Sequence, residues 1–521
     1  MFEFIQRHRD QVIGILHGFD RLRLRGTKRL LATVGGMLGY LWQRQILLKD
    51  FGVHVQQATA EVRQATEAIL RRTGRPYLYL QRPQMDKEQV ARRLLAESPI
   101  QSGLIGILGC VEPCWTYDLH RNRQTRHLDL VARYRKCLHY YHYLLHPVFG
   151  FMHVRLQTWY PFTVHVCLNG REWLARQLDR RGIGYVRRQN CLVEVEDVAK
   201  AQRLLDLQLR TDWPGTLNGL MAKVNPAEGR LFPGRPVPYY WSAEETEWAS
   251  DILFRSPEAL AAVYPRLIRY AMEHFGSREV LRFLGQKVPA TGGVHGCFQG
   301  QVTTDLRQRP EGVRIKHQMN RNAVKMYDKQ GSVLRVETTI NDARGLKTYR
   351  PKEGDEQGPK AWRKMRKGVA DLRRRAELSQ ASNERYLAAL GGVESQQPLG
   401  ALAQPVCRRV RWKGRGVRAL NPLSAEDGRL LAVIARGEFL ISGMRNRDLR
   451  AALFGADPAD RAEVRRRSGK VTRLLRMLRA HHLIVKVSGT HRYLLSVKSR
   501  ATVAALIAAQ HASAQQLMAA G

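Results

Sequence analysis

The run GLIGILGCVE closes on Glu112, where a buried strand would carry only small and apolar side chains. Metal-dependent nucleases hold Mg2+ or Mn2+ on two or three converging carboxylates, commonly at strand ends. Glu112 is therefore a candidate for that chemistry. A second candidate set lies in VKMYDKQGSVLRVETT. There Tyr327 is a potential nucleophile towards a phosphodiester, and Asp328 and Glu337 are acids able to hold the ion. Asp20, Asp118, Asp129, Asp305 and Asp342 are further acids of this type. Both sets have a plainer reading, which we favour. Glu112 would cap the turn at Pro113 or pair with an arginine. Lys325, Asp328, Arg335 and Glu337 would form a charge ladder across neighbouring strands. If the chain is an enzyme, metal-dependent nicking or cleavage of nucleic acid is the expected reaction.

His139, His142, His146, His153 and His165 cluster in sequence. Their aromatic and β-branched neighbours predict strands, and alternation would send His139 and His142 to opposite faces. No metal site is assigned to them. Among seven cysteines only Cys110 and Cys114 are close, and no second pair follows, so neither zinc nor a disulfide framework is expected. No phosphate-binding glycine loop, Walker motif or Ser-His-Asp pattern is present.

The elements that must carry these residues predict an α+β multidomain chain. Residues 1–75 read as a basic helical region, with Ile13, Leu16, Phe19 and Leu22 at helical spacing. Residues 76–210 read as a mixed α/β domain. It holds a strand at Tyr77–Leu80, a helix at Asp86–Glu97, a buried strand at Gly103–Val111 and an antiparallel hairpin over 138–162. A helix capped by Asn169, a strand at Cys191–Val195 and a helix at Asp197–Leu207 complete it. The tyrosines and tryptophan of 138–162 would be sheet core or, if exposed, a stacking surface for single strands or RNA. Residues 211–290 read as helical. Residues 291–392 read as a β-hairpin turning at Lys329–Ser332, followed by a basic helix with Arg363, Lys364, Arg366 and Lys367. Residues 393–418 read as a linker and basic arm carrying Arg408, Arg409, Arg411, Trp412 and Lys413.

Residues 419–500 predict a winged helix. Helices are expected at 424–436, 446–454 and 460–480, capped by Ser424 and Asn446, then a hairpin around Ser488–His491. The third helix carries Arg465, Arg466, Arg467, Lys470, Arg473, Arg476 and Arg479, and the wing carries His491 and Arg492. Residues 501–521 read as a helical tail.

Charge sets the partner class. Lys+Arg number 86 against 46 Asp+Glu, a net charge of +40. A body so basic repels itself unless a polyanion neutralises it, and nucleic acid is the usual one. Residues 404–500 hold 23 Lys+Arg against 7 Asp+Glu, so much of the charge lies outside the expected winged helix. The leading expectation is a nucleic-acid-binding protein of a mobile element or ribonucleoprotein, holding duplex DNA at its C-terminal end and RNA or single strands on its body. A ligand-responsive transcription factor is the third reading, beside the nuclease. No uncharged apolar run reaches the ~18 residues of a membrane span, and a cytoplasmic, nucleoid-associated location is expected.

The segments LHYYHYLLHPVFGFMHVRLQTWYPF, NGREWLAR, VKMYDKQGSVLRVETTIND and LRAHHLIVKVSGTHRY resemble a family of bacterial proteins labelled only as hypothetical. That resemblance implies one architecture over nearly the full length and no catalytic residue. Locally, VKMYDKQGSVLRVETT is similar to the Tyr-Asp-Lys and Arg-x-Glu strands of rolling-circle replication initiators. There carboxylates hold a divalent metal and a tyrosine attacks DNA. The counterparts by type are Asp328, Glu337 and Tyr327. The His-hydrophobe-His motif of that family is absent; Val164-His165-Val166 has one histidine.

Overall fold

The computed structural model describes residues 1–124, 126–232, 234, 236–286, 301–352, 354–355, 357–391 and 399–513. The chain forms two compact units: a first, Ile15–Ala249 with Thr339–Glu377, and a second, Met1–Gly14, Ser250–Thr338 and Leu378–Gly521. Both mix helix and strand. Among the described residues no helix is long and apolar enough to cross a membrane.

The N-terminal region is not helical throughout. Helix α1 (Phe2–Arg7) is followed by the 17-residue strand β1 (Val12–Lys28). Leu22 and Leu24 are buried while Arg21, Arg23 and Arg25 alternate with them, the period of two that defines a strand. The helical spacing that runs through Ile13 is accidental, since Ile13 is 49% exposed. Helices α2 (Val34–Gln43) and α3 (Phe51–Thr73) follow, the second ended by Gly74 at φ +62°. Then come β2 (Tyr77–Leu80) and α4 (Lys87–Glu97), whose cap Asp86 accepts from the Glu88 and Gln89 amides. Strands β3 (Gly103–Arg121) and β4 (Leu128–His146) form a 19-residue hairpin, extending well past Val111. The expected turn His146–Gly150 joins β4 to β5 (Gly150–Gln157), and β6 (Val164–Asn169) leads into α5 (Gly170–Asp179) under its Asn169 cap. Tyr140, Tyr141, Tyr143, Phe149, Phe151 and Tyr160 are all buried and belong to the core, while Trp159 is half-buried.

The ribbon β7 (Tyr185–Arg188) and β8 (Cys191–Val195) precedes α6 (Val198–Gln208), α7 (Trp213–Val224) and α8 (Glu228–Leu231). Next comes β9 (Tyr239–Phe254), inside the stretch expected to be helical. From Thr246 to Phe254 every residue is buried, so the strand lacks the polar alternation that would reveal it. Within the first unit the sheet order is β9-β1-β6-β5-β4-β3-β2. The β2–β3 pair is parallel, and β1–β6, β6–β5, β5–β4 and β4–β3 are antiparallel.

In the second unit, α9 (Pro257–His274) and α10 (Ser277–Phe283) precede β10 (Val302–Arg309), β11 (Gly312–Met319), β12 (Asn322–Lys329) and β13 (Val333–Ile340), paired in that order. Residues 291–300 of the expected hairpin domain lie outside the described residues. Gln330 at φ 55° and Gly331 at φ 77° form the expected tight turn between β12 and β13. The basic helix expected from 360 starts later. Arg363 and Lys364 belong to β15 (Ala361–Lys364), paired with Thr348 and Lys347 of β14 (Lys347–Arg350). Tyr349 and Trp362, at 5.7 Å, cover this ribbon. Arg366 lies beyond it with its guanidinium on Asp371 at 3.1 Å, and α11 (Leu372–Leu390) begins only there.

The linker region is also more ordered than expected, although residues 392–398 lie outside the described residues. It holds α12 (Leu399–Ala403) and the hairpin β16 (Val410–Trp412) and β17 (Arg415–Val417), turning at Lys413 and Gly414, both with positive φ. After it come α13 (Ala425–Ile434), α14 (Gly437–Ser442), α15 (Asn446–Phe454), α16 (Arg461–Ala480), β18 (Ile484–Lys486), β19 (Tyr493–Leu495) and α17 (Val497–His511); residues 514–521 of the expected tail lie outside the described residues. Leu431, Ile434, Leu449, Leu475, Leu478 and Ile484 share one core. Ser424 caps α13 as expected, but Arg445 rather than Asn446 holds the N-cap position of α15, where its amide donates to Asp448 Oδ2 at 2.8 Å. Asn446 instead donates to Ser468 O and Thr472 Oγ1.

Candidate nucleic-acid interface

The register of the first unit lays a row of polar side chains across four strands. Arg25 on β1 faces His165 on β6, His165 faces Arg155 on β5, and Arg155 faces Tyr141 on β4. His139 lies two residues along β4 and so on the same side. Glu112 reaches this row from β3. Its Oε2 is 2.6 Å from the Tyr141 hydroxyl, which donates, and 3.0 Å from Arg155 Nη2. Its Oε1 is 3.0 Å from Nζ of Lys87, the first residue of α4. Burial alone would raise the Glu112 pKa, but the hydroxyl and the two cations together hold it below the usual carboxylate range. The arginine expected beside Glu112 is thus Arg155.

Arg155 organises the rest. Its Nη2 is 3.2 Å from His139 Nε2 and its Nη1 is 3.1 Å from His165 Nδ1. A guanidinium only donates, so both ring atoms must accept. The proton of His139 then sits on Nδ1, 3.0 Å from the Cys137 carbonyl. That of His165 sits on Nε2, 3.4 Å from Glu244. Burial first, and the arginine charge second, press these imidazoles down to about 4 for His139 and about 3 for His165. Burial also takes His153 to about 4. All three are neutral near pH 7. Glu112, His139 and His165 are metal-ligand types, but a guanidinium occupies the place a metal would need.

Around this row lies an open cavity of about 380 Å³, lined also by Arg23, Thr163 and Cys167, with Pro113, Trp115 and Tyr134 at its edge. Among the described residues Arg25 has no carboxylate within ion-pair distance, and neither its buried Nε nor that of Arg155 has a hydrogen-bond partner. The sequence marks Arg155 within the aromatic stretch 138–162 and Arg25 within a basic N-terminal surface, but does not bring them together, and Lys87 carries no signal. The alternation of arginine and leucine over 21–25 was the available signal for Arg25.

The other singled-out acids have protein partners. Asp118 pairs with Arg135 at 2.5 Å, Asp305 with Arg307 at 2.8 Å and Asp342 with Arg344 at 2.6 Å. Asp129 accepts from Asn122 at 3.2 Å. Asp20 accepts from Asn190 at 2.9 Å; it and Glu247 of β9 are both buried and bring carboxylate oxygens within 4.8 Å of one another. Arg171 at 3.9 Å from Asp20 and Arg21 at 3.7 Å from Glu247 supply countercharge. Glu247 was not foreseen because β9 was read as helix.

In the second unit, Glu337 is 2.7 Å from Lys325 and 3.9 Å from Arg335, so these members of the expected ladder meet. Alternation along β12 puts Tyr327 on the Lys325 side and turns Asp328 away. Asp328 instead accepts from the Val313 amide at 2.5 Å. Asp328 and Glu337 are therefore not brought together.

On α16, Arg465, Arg466, Lys470, Arg473 and Arg476 are exposed. Arg467 is half-buried, at 2.9 Å from Glu463 and over the Phe454 ring. Arg479 is half-buried over Trp412 at 5.1 Å and Tyr493 at 5.9 Å, so it holds the β16–β17 hairpin rather than facing solvent. Arg408, Arg409, Arg411 and Lys413 are exposed on and before that hairpin, and His491 is exposed between β18 and β19. Compared with family models, curated proteins and solved structures, the chain matches none.

Proposed function

We propose that the chain binds nucleic acid and that its C-terminal segment is a winged helix docked on double-stranded DNA. The observation that carries this reading is the division of α16. Arg465, Arg466, Lys470, Arg473 and Arg476 face solvent while Val471, Leu474, Leu475 and Leu478 fill the core. A helix so divided can lie in a major groove with its cations towards phosphates and base edges. The order α13, α15, α16, β18, β19 and the bridge from Met444 to Tyr493 support the winged-helix reading; α14 is an added turn. His491 and Arg492 lie where a wing would meet the backbone.

Anisotropy of a labelled duplex titrated with full-length protein across a salt series tests the proposal. The logarithm of affinity should fall against that of salt, with a slope of about −0.9 per phosphate neutralised. Arg473→Ala with Arg476→Ala should weaken binding about tenfold or more and reduce the slope by about 2. A slope near zero, or a double variant that binds like the parent, rejects the reading.

A further inference from the structure

We propose that the arginine-lined cavity on the sheet of the first unit is a subsite for single-stranded nucleic acid, with a backbone phosphate taken by Arg25 and Arg155. This goes beyond the duplex reading and does not depend on it.

The argument starts from charge that the protein leaves unanswered. Arg23, Arg25 and Arg155 line the cavity against Glu112 and Glu244. Both oxygens of Glu112 are already engaged by Lys87, Tyr141 and Arg155, which leaves Glu244, 3.4 Å from the neutral His165, as the one other carboxylate lining the cavity against three arginines. Arg25 has no carboxylate partner among the described residues, and the buried Nε atoms of Arg25 and Arg155 lack acceptors. A buried donor without an acceptor is costly, and a guanidinium suits a phosphate through two parallel hydrogen bonds.

A strand of nucleic acid fits better than a free anion because the cations continue outside the cavity. On β4, Arg133 and Arg135 share the face of His139 and Tyr141 by alternation, and both are exposed. The contact of Arg135 with Asp118, six residues along from Glu112 and so on the same side of β3, agrees with that placement. Arg133 has no ion pair among the described residues. From Arg135 to Tyr141 the strand covers about 20 Å, the length of several nucleotides. The cavity volume of about 380 Å³ is at the small end for ligand sites and suits one nucleotide unit of a passing strand.

Binding of a labelled oligo(dT) of about twenty nucleotides to the full-length protein tests this, with the labelled duplex measured in parallel. Arg25→Gln should lose about tenfold in affinity for the single strand. Arg133→Gln, an exposed position whose replacement leaves the fold intact, should lose about threefold. Both should keep duplex affinity, while Arg473→Ala with Arg476→Ala should do the reverse. Unchanged oligo(dT) binding in Arg133→Gln and in a folded Arg25→Gln overturns the proposal. So does a thymidine mononucleotide or inorganic phosphate that binds as tightly as the oligonucleotide, since the cavity would then serve a free anion. Loss of duplex binding alone in the α16 variant leaves the single-strand site standing, so the two readings can fail separately.

Discussion

Arg155 stands where a metal ion could have stood, among a glutamate and two imidazoles, and the difference has measurable consequences. Replacing it with methionine removes the cation that helps depress His139 and His165 and helps hold Glu112 low. NMR titration of the ring protons should show both imidazole pKa values rising, though burial keeps them below the ordinary value of about 6.5. The variant should also lose about 2 kcal/mol of stability, because Glu112 and two ring nitrogens lose a donor. Imidazoles that titrate as in the parent would contradict the assigned role. The second unit holds a drier pair. Arg335 meets Asp251 through two contacts, at 2.6 and 2.9 Å, with both side chains at most 1% exposed. Asp251→Asn removes the nearer carboxylate from Arg335, leaving Glu337 at 3.9 Å, and should cost about 3 kcal/mol, read from the urea midpoint. At this scale the sequence was partly legible. An acid ending an apolar run marked Glu112 as held by something, yet its partners come from β4, β5 and α4, and no local spacing announces contacts made across strands.

Helices were legible where their ends carry chemistry. The side-chain caps Asp86, Asn169, Asp197 and Ser424 each accept from an amide of the helix they begin, and each was readable in the sequence. Strands were legible where one face is wet, as at Tyr77–Leu80, or where a turn announces them, as at Lys329–Ser332 between the almost wholly buried β12 and β13. They were missed in two ways. β1 offers the same apolar residues to a helical and an alternating reading, and Arg21, Arg23 and Arg25 decide for the strand only when their solvent face is known. β9 is buried on both sides over its last nine residues, which removes the alternation altogether. The junction of β6 and α5 shows how closely such elements are fitted. A Cβ at Gly170 would run into the carbonyl of Phe19 on β1. Gly170→Ala must therefore push a strand from its neighbour, and about 3 kcal/mol should be lost, seen as a lower urea midpoint with an unchanged slope. A fully stable alanine variant would mean that α5 and β1 are not fitted in this way.

Across the whole chain the buried imidazoles tie stability to pH. In the first unit burial takes His139, His142 and His153 down to about 4 and His165 to about 3; in the second it takes His317 to about 4. In the unfolded chain each would titrate near 6.5. Between about 6.5 and about 4 the unfolded chain therefore holds more protons than the folded one, and stability must fall as pH falls through that window. Above it these groups contribute no pH dependence. Glu112 and Asp371, held low in the folded state, push the same way once the pH reaches the carboxylate range. The positive charge of the chain adds to the effect, because protonation raises an already large self-repulsion. Thermal or urea midpoints measured from pH 7.5 to 4.5 should be flat at first and then drop. The loss should be steeper in the first unit, with its four such histidines, than in the second. Hydrogen exchange read separately on peptides from β4–β5 and from β11–β12 resolves the two. If both sets of peptides keep equal protection down to pH 5, these histidines are not held neutral, and the tautomers assigned around Arg155 fall with them.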